Sequence, residues 1–169
     1  MCLICAVTYN ASGKEALARR LLQERFGKIV LESEHYPFDF TTYYEGEMGA
    51  SLRKYFVSFA ELIRPEDLVE AKLCTNAMEQ ELATSGKRNV NLDPGYLESA
   101  KVVLATTKDY GHRIYLGRGI YGDLHLRYRH GRFEPLEWTY PDYRQPLSLE
   151  FFAKVREWYL NTRKHRSTR

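Results

Sequence analysis

Cys2-Leu-Ile-Cys-Ala-Val-Thr8 is an unbroken apolar run closed by a β-branched hydroxyl residue, and it reads as a buried strand. The elements after it set the fold class. Ser12-Gly-Lys-Glu15 has the spacing of a capping box, in which serine and glutamate satisfy orphan amides reciprocally at a helix start. Ala16, Leu17, Ala18, Leu21, Leu22 and Phe26 form that helix's apolar stripe, and Gly27 fits its C′ position. A second strand is expected over 28–34, with Ile29 and Leu31 facing one way. A third is expected over 52–59, beyond an aromatic and acidic connection at 37–49. Pro65 suits the first turn of a second helix. Its stripe is Leu68, Ala71, Lys72 by its stem, Thr75, Met78, Glu79 and Leu82, with Gly86 after its end. A short fourth strand follows at 89–92. The order β-α-β-β-α-β is that of a ferredoxin-like sandwich, so the expected class is α+β.

An antiparallel meander extends it. Residues 102–107 are strand by β-branching, although Leu97, Ala100 and Leu104 also suit a short helix. Gly117-Arg-Gly119 is a three-residue hairpin loop between strands at 112–116 and 120–129. In the second of these Ile120, Leu124, Leu126 and Tyr128 alternate with Tyr121, Asp123, His125 and Arg127. That loop sets Arg113 opposite Asp123 and Tyr115 opposite Tyr121; the next turn, at His130-Gly131, sets Arg127 opposite Glu134. These pairs describe a charge-balanced outer face, with His125 solvated on it. Leu149, Phe152, Val155, Trp158 and Tyr159 mark a C-terminal amphipathic helix.

A chain of 169 residues with 44% hydrophobic and 28% charged residues forms one core and is not disordered. We expect one domain over 1–161, then a basic, flexible tail over 162–169. The net charge is +3, and Arg163, Lys164, Arg166 and Arg169 of the tail more than account for it, leaving −1 on the body. Residues 108–132 hold six Lys/Arg against two Asp, so the body has a basic middle and acidic flanks. The apolar start is too short for a signal or a membrane span, and three cysteines make no disulfide framework. Both point to the reducing cytoplasm, with no membrane.

Several motifs fail on their chemistry. Asn10-Ala-Ser-Gly-Lys14 lacks the P-loop's first glycine and its magnesium-binding hydroxyl, since Thr8 and Glu15 stand there. Cys2 and Cys5 lie on a strand, where a spacing of three sends them to opposite faces, so they read as buried thiols. The five histidines show no metal-ligand spacing, and no metal site is expected.

Three segments carry more polarity than turns need. Asn89-Val-Asn-Leu-Asp-Pro-Gly-Tyr96 is expected to end a strand in a polar turn, with Asp93 bonding the turn backbone and Asn91 and Tyr96 beside it. Thr106-Thr-Lys-Asp-Tyr-Gly-His-Arg113 gathers Lys108, Asp109, His112 and Arg113, with Tyr115 just beyond. Lys108, His112 and Arg113 together can hold an anion. Asp93, Asp109 and His112 are the candidates for acid–base work. Trp138-Thr-Tyr-Pro-Asp-Tyr-Arg144, with Trp138, Tyr140 and Asp142, is dense enough for a lid or stacking surface. In the 37–49 connection, Asp39, Glu45 and Glu47 complement the basic meander.

At these segments the chain resembles a bacterial family, domain of unknown function 4416. The matching stretches are Tyr36-Pro-Phe-Asp-Phe-Thr-Thr-Tyr-Tyr44, Glu47-Met-Gly49, Asn91-Leu-Asp-Pro-Gly-Tyr-Leu97, Leu104-Ala-Thr-Thr-Lys108, His112-Arg-Ile-Tyr-Leu116 and Trp138-Thr-Tyr-Pro-Asp-Tyr143. They span nearly the whole chain apart from the basic tail. The resemblance implies a stand-alone bacterial cytoplasmic protein and supplies no activity.

Three functions compete on this reading. The first is an enzyme or sensor for a small anionic ligand, nucleotide-like or phosphorylated. The second is a single-stranded RNA-binding module, with Arg113, Tyr115, Tyr121 and Arg127 as a stacking platform and the tail tracking phosphate. The third is a protein-interaction scaffold without catalysis. The residues name no cofactor and no oligomeric state.

Overall fold

Seven successive residues of β1 (Cys2–Tyr9), Cys2 to Thr8, are buried, because this strand runs through the middle of a sheet covered on both faces. Cys2, Ile4 and Ala6 pack into one core cluster and Leu3, Cys5 and Val7 into the other, so the two cysteines do face opposite ways. The computed structural model to which this strand belongs describes residues 1–167.

The remaining elements are α1 (Glu15–Phe26), β2 (Ile29–Glu32), β3 (Tyr36–Pro37), α2 (Glu45–Met48), β4 (Arg53–Leu62), α3 (Asp67–Glu81), β5 (Val90–Leu97), β6 (Lys101–Thr106), β7 (Arg113–Gly117), β8 (Ile120–Arg129), β9 (Arg132–Pro135) and α4 (Pro146–Ser167), with a 3-10 turn at Pro141–Arg144. Among the described residues the fold is α+β: one antiparallel sheet of nine strands with four helices, one of them C-terminal. The strands lie in the order β2-β4-β1-β5-β6-β8-β7, with β3 on β4 and β9 on β8.

α1 and α3 cover one face, through Ala18 and Leu22 of the first and Ala71 and Met78 of the second. α4 covers the other with Phe151, Phe152, Val155 and Tyr159, against Phe56 and Leu126 of the sheet. Each helix therefore buries one stripe, and β1 is apolar from Cys2 to Val7 because it lies beneath both layers.

The expected pairs form, Arg113 with Asp123, Tyr115 with Tyr121 and Arg127 with Glu134. However, β7 runs on to Gly117, which pairs Ile120, so the first loop is Arg118-Gly119 and a register shift between Tyr115 and Gly117 brings the first two pairs about. Residues 102–106 are strand rather than helix.

Four further expectations need correction. Ser12 and Glu15 form no capping box; Lys14 occupies the N-cap without a side-chain bond. The Glu15 carboxylate instead accepts the Tyr55 hydroxyl at 2.6 Å, and the turn before α1 is held by Asn10 Oδ1, which accepts from Ser12 N. The segment Asp93 to Tyr96 is not a turn, because β5 continues to Leu97 with Asp93 opposite Ala6 and Pro94 opposite Cys5. His125 is not solvated but fully buried. β8 bulges there: Leu124 faces Val103 and Leu126 faces Val102, in different core clusters, so the strict alternation breaks at His125. Lastly, α4 carries on past Thr162, where the tail was expected to begin, to Ser167; Thr168 and Arg169 of that tail lie outside the described residues. No helix among the described residues is long and apolar enough to cross a membrane.

Candidate functional site

β5 and β6 pair only from Gly95 to Leu97, opposite Val102 to Leu104. Ahead of Gly95 the two strands part, and the sheet opens between them. Pro94, which has no amide hydrogen, sits where β6 leaves. α3 fills one side of the opening with side chains that replace the missing strand. Glu79 Oε1 accepts from Leu92 N at 2.6 Å, and Lys72 Nζ donates to Leu92 O at 3.1 Å. An i, i+7 pair on one helix face thus satisfies the backbone of one strand residue.

Those groups begin a paired network on the cleft floor. Lys72 Nζ is 3.0 Å from Asp93 Oδ1, and Asn91 Nδ2 donates to Asp93 Oδ2 at 2.7 Å. Burial works against the Asp93 charge, but the Lys72 and Lys54 ammonium groups outweigh it and hold this carboxyl below its ordinary value. Arg88 clamps Glu47 with Nε and Nη2 at 2.8 and 2.7 Å, and its Nη1 reaches Glu79 and Asn91. Through Glu47 this clamp ties the loop around α2 to the sheet.

The far wall is a second closed set. His125 Nε2 accepts from Tyr140 N at 3.0 Å, so the proton lies on Nδ1 and is donated to Asp123 Oδ1 at 3.3 Å. Burial depresses the His125 pKa despite the carboxylate. Arg113 is committed on all three nitrogens: Nε to Asp123, Nη1 to Lys108 O and Nη2 to the Tyr140 hydroxyl. Lys54 and Asp142 make a buried pair at 2.6 Å, with the ammonium 4.7 Å from the Phe38 ring centroid.

Between these walls lie two chambers. One, of about 560 Å³, is polar and includes Lys72, Asn76, Glu79, Gln80, Arg88 and Asp123. The other, of about 360 Å³, is aromatic and includes Phe38, Phe40, Tyr110, His112, Trp138 and Pro141. Tyr43, Tyr44, Asp93, Lys108 and Tyr140 line both. At this junction Lys108 Nζ stands 3.8 Å from the centroid of the Tyr43 ring. Among the described residues, every other Lys or Arg of the two chambers is paired to a carboxylate; Lys108 is not.

Of the residues expected at a site, Asn91, Asp93, Lys108, His112, Arg113, Trp138, Tyr140 and Asp142 all line one chamber or both. Three do not. Tyr96 packs toward α3 beside Val69 and Leu73, Tyr115 is exposed on β7 against Tyr121, and Asp109 is exposed outside both chambers. His112 stacks on Trp138 at 4.7 Å, with Nε2 buried, free of hydrogen bonds and 3.5 Å from Asp123 Oδ2. Of the expected stacking platform, Arg127 pairs Glu134, and Arg113 is sealed beneath the surface rather than presented on it. Glu47 complements Arg88 and not the meander.

The sequence reading missed Lys54, Glu79, Arg88, Asp123 and His125 as parts of the site. One signal for Glu79 was available: together with Lys72 and Thr75 it falls on the apolar stripe of α3, where buried polar groups need partners.

Fold and cleft together define an α+β protein with a two-chambered pocket opened at a split in its sheet. The family model for a domain of unknown function (DUF4416) matches residues 1–159, and the chain belongs to that family. No curated protein and no solved structure matches it.

Proposed function

We propose that this protein binds a small anionic ligand, nucleotide-like or phosphorylated, in the cleft between β5 and β6. The single observation that carries this reading is Lys108. An ammonium without a carboxylate partner stands at the junction of two chambers in which the other cations are neutralised. Paired charges give a structural network little net attraction for an anion, whereas one free lysine offers a point charge and three donors. The cleft lies within the size range of small-molecule sites, and aromatic walls with a few polar groups are their usual lining.

The platform beneath is, on this proposal, a ferredoxin-like half carrying an added meander. Its support is the strand order β2-β4-β1-β5 with α1 and α3 on one face. The cysteines Cys2, Cys5 and Cys74 are free, which suits a reducing cytoplasm.

The test is a thermal melt against phosphorylated metabolites and nucleotides, on the native chain and on Lys108→Ala. A ligand at 100 times its Kd adds about 2.7 kcal/mol, several degrees in Tm. Lys108 is exposed, so its removal leaves the unliganded stability within about 0.5 kcal/mol of native. A stabilisation retained in full by Lys108→Ala would remove the basis for the proposal.

A further inference from the structure

We infer that the anion belongs to a nucleoside monophosphate, its base in the aromatic chamber and its phosphate at Lys108; this rests on the small-anion reading above. The argument starts from exposure. Among the described residues seven large apolar side chains are exposed, and four of them, Tyr43, Tyr110, Trp138 and Tyr140, line this one concave chamber. Aromatic surface held open to water in a cavity is costly unless a partner covers it, and the partner that suits ring faces is another planar ring.

The rings are also held in place. Trp138 Nε1 donates to Leu124 O at 2.8 Å, and His112 is stacked between Trp138 and Tyr110 at 4.7 and 6.2 Å. A base entering here extends a stack that already exists, and it loses little to ordering of the site. A sugar phosphate without a ring would leave this surface uncovered.

Charge fixes the other end. One cation without a carboxylate partner matches one phosphate group, and the polar chamber beyond it adds the carboxamides of Asn76 and Gln80 as donors to phosphate oxygens. Lys72 and Arg88 are already paired there to Asp93, Glu79 and Glu47, so the attraction for a phosphate rests on Lys108 and these donors. Joined end to end, aromatic chamber, lysine and amide-lined chamber match base, phosphate and phosphate oxygens.

Calorimetric titration of the full chain with adenosine and uridine 5′-monophosphates, ribose 5-phosphate and a ten-residue single-stranded RNA decides it. The nucleotides should bind at least about tenfold more tightly than ribose 5-phosphate. Tyr110→Ala and Trp138→Ala should each weaken nucleotide binding by about ten- to a hundredfold, as loss of a stacked base does, and leave ribose 5-phosphate unchanged. Tyr110 is exposed, which guards against a folding defect in the tryptophan variant. Equal, Lys108-dependent affinity for ribose 5-phosphate and the nucleotides would overturn the base assignment and leave the anion reading standing. No binding of any phosphate compound would overturn both. RNA bound much more tightly than either mononucleotide would replace this inference with a polynucleotide site.

Discussion

The Glu79 carboxylate accepts a hydrogen bond from the amide of Leu92 at 2.6 Å, and so a helix side chain does the work of an absent strand. β6 leaves β5 before this position, and a buried amide without an acceptor costs about 1–3 kcal/mol. Glu79 also faces the ammonium of Lys72 and Nη1 of Arg88, both in the same network. Glu79→Ala should therefore lower unfolding free energy by about 2–4 kcal/mol, orphaning the amide and unbalancing two cations. Glu79→Gln keeps the carbonyl acceptor and should cost clearly less. Chemical denaturation of both variants checks this, and equal losses would show that charge, not the amide bond, is what Glu79 supplies.

The same residues show what a sequence can carry. Lys72 and Glu79 sit on the apolar stripe of α3 by simple helical periodicity, and that face was legible. Their partner was not, because nothing local to α3 says that β6 turns away from β5. Cross-strand pairing in the hairpins was legible too, Arg113 opposite Asp123 among it, although the bulge between Tyr115 and Gly117 that sets it was not. The depth of that pair was not: it is sealed beneath Tyr140, a residue from a segment far along the chain. Asp93-Pro-Gly carries turn chemistry, yet eight consecutive pairings with β1 hold it extended. Local preference lost there to a ladder formed with residues some ninety positions away.

Gly95 marks the last point of contact between β5 and β6. A Cβ added there would stand 2.5 Å from the backbone oxygen of Val103 and 2.8 Å from Leu104 Cδ2. Backbone cannot swing aside as a side chain can, so the strands must separate. Gly95→Ala should destabilise by about 1–3 kcal/mol and widen the cleft at its apex. Gly111→Ala, whose added methyl meets nothing within 4 Å and whose φ, like that of Gly95, lies outside the left-handed region, controls for loss of glycine's conformational freedom alone. If the two variants lose the same amount, the close approach is not what Gly95 serves.

Glu47 anchors the loop that carries Tyr43 and Tyr44 over the cleft. Its two oxygens meet Arg88, and this pairing holds its carboxyl below the ordinary value. The side chain is 38% exposed, so solvent screens the pair and its global worth is about 0–1 kcal/mol. Local order should feel it more. Glu47→Gln should leave Tm within a few degrees of native while amide exchange speeds in residues 41–49. Unchanged exchange there, read by mass spectrometry, would assign the loop's order to the Phe38, Met48 and Leu52 cluster instead.

His125 predicts a pH dependence in a window of its own. It is fully buried, with Asp123 on Nδ1, the Tyr140 amide on Nε2, and the Tyr140 and Tyr143 rings edge-on at 4.5 and 4.6 Å; Asp142 and Lys54 act on it from further off. Burial outweighs the Asp123 carboxylate and lowers its pKa below 6.5. Protonation would also replace the acceptor at Nε2 with a second donor facing the Tyr140 amide. Below pH 6.5, then, the unfolded chain takes up a proton that the folded chain refuses, and stability falls as pH falls, by up to about 1.4 kcal/mol per pH unit. His125→Asn, which keeps a donor for Asp123, should be less stable than the native chain at pH 7.5 but should lack this slope. The gap between the two melting curves should therefore narrow toward pH 5.5. A gap that widens instead would mean that His125 is held as a cation against Asp123, and the neutral-ring assignment would fall.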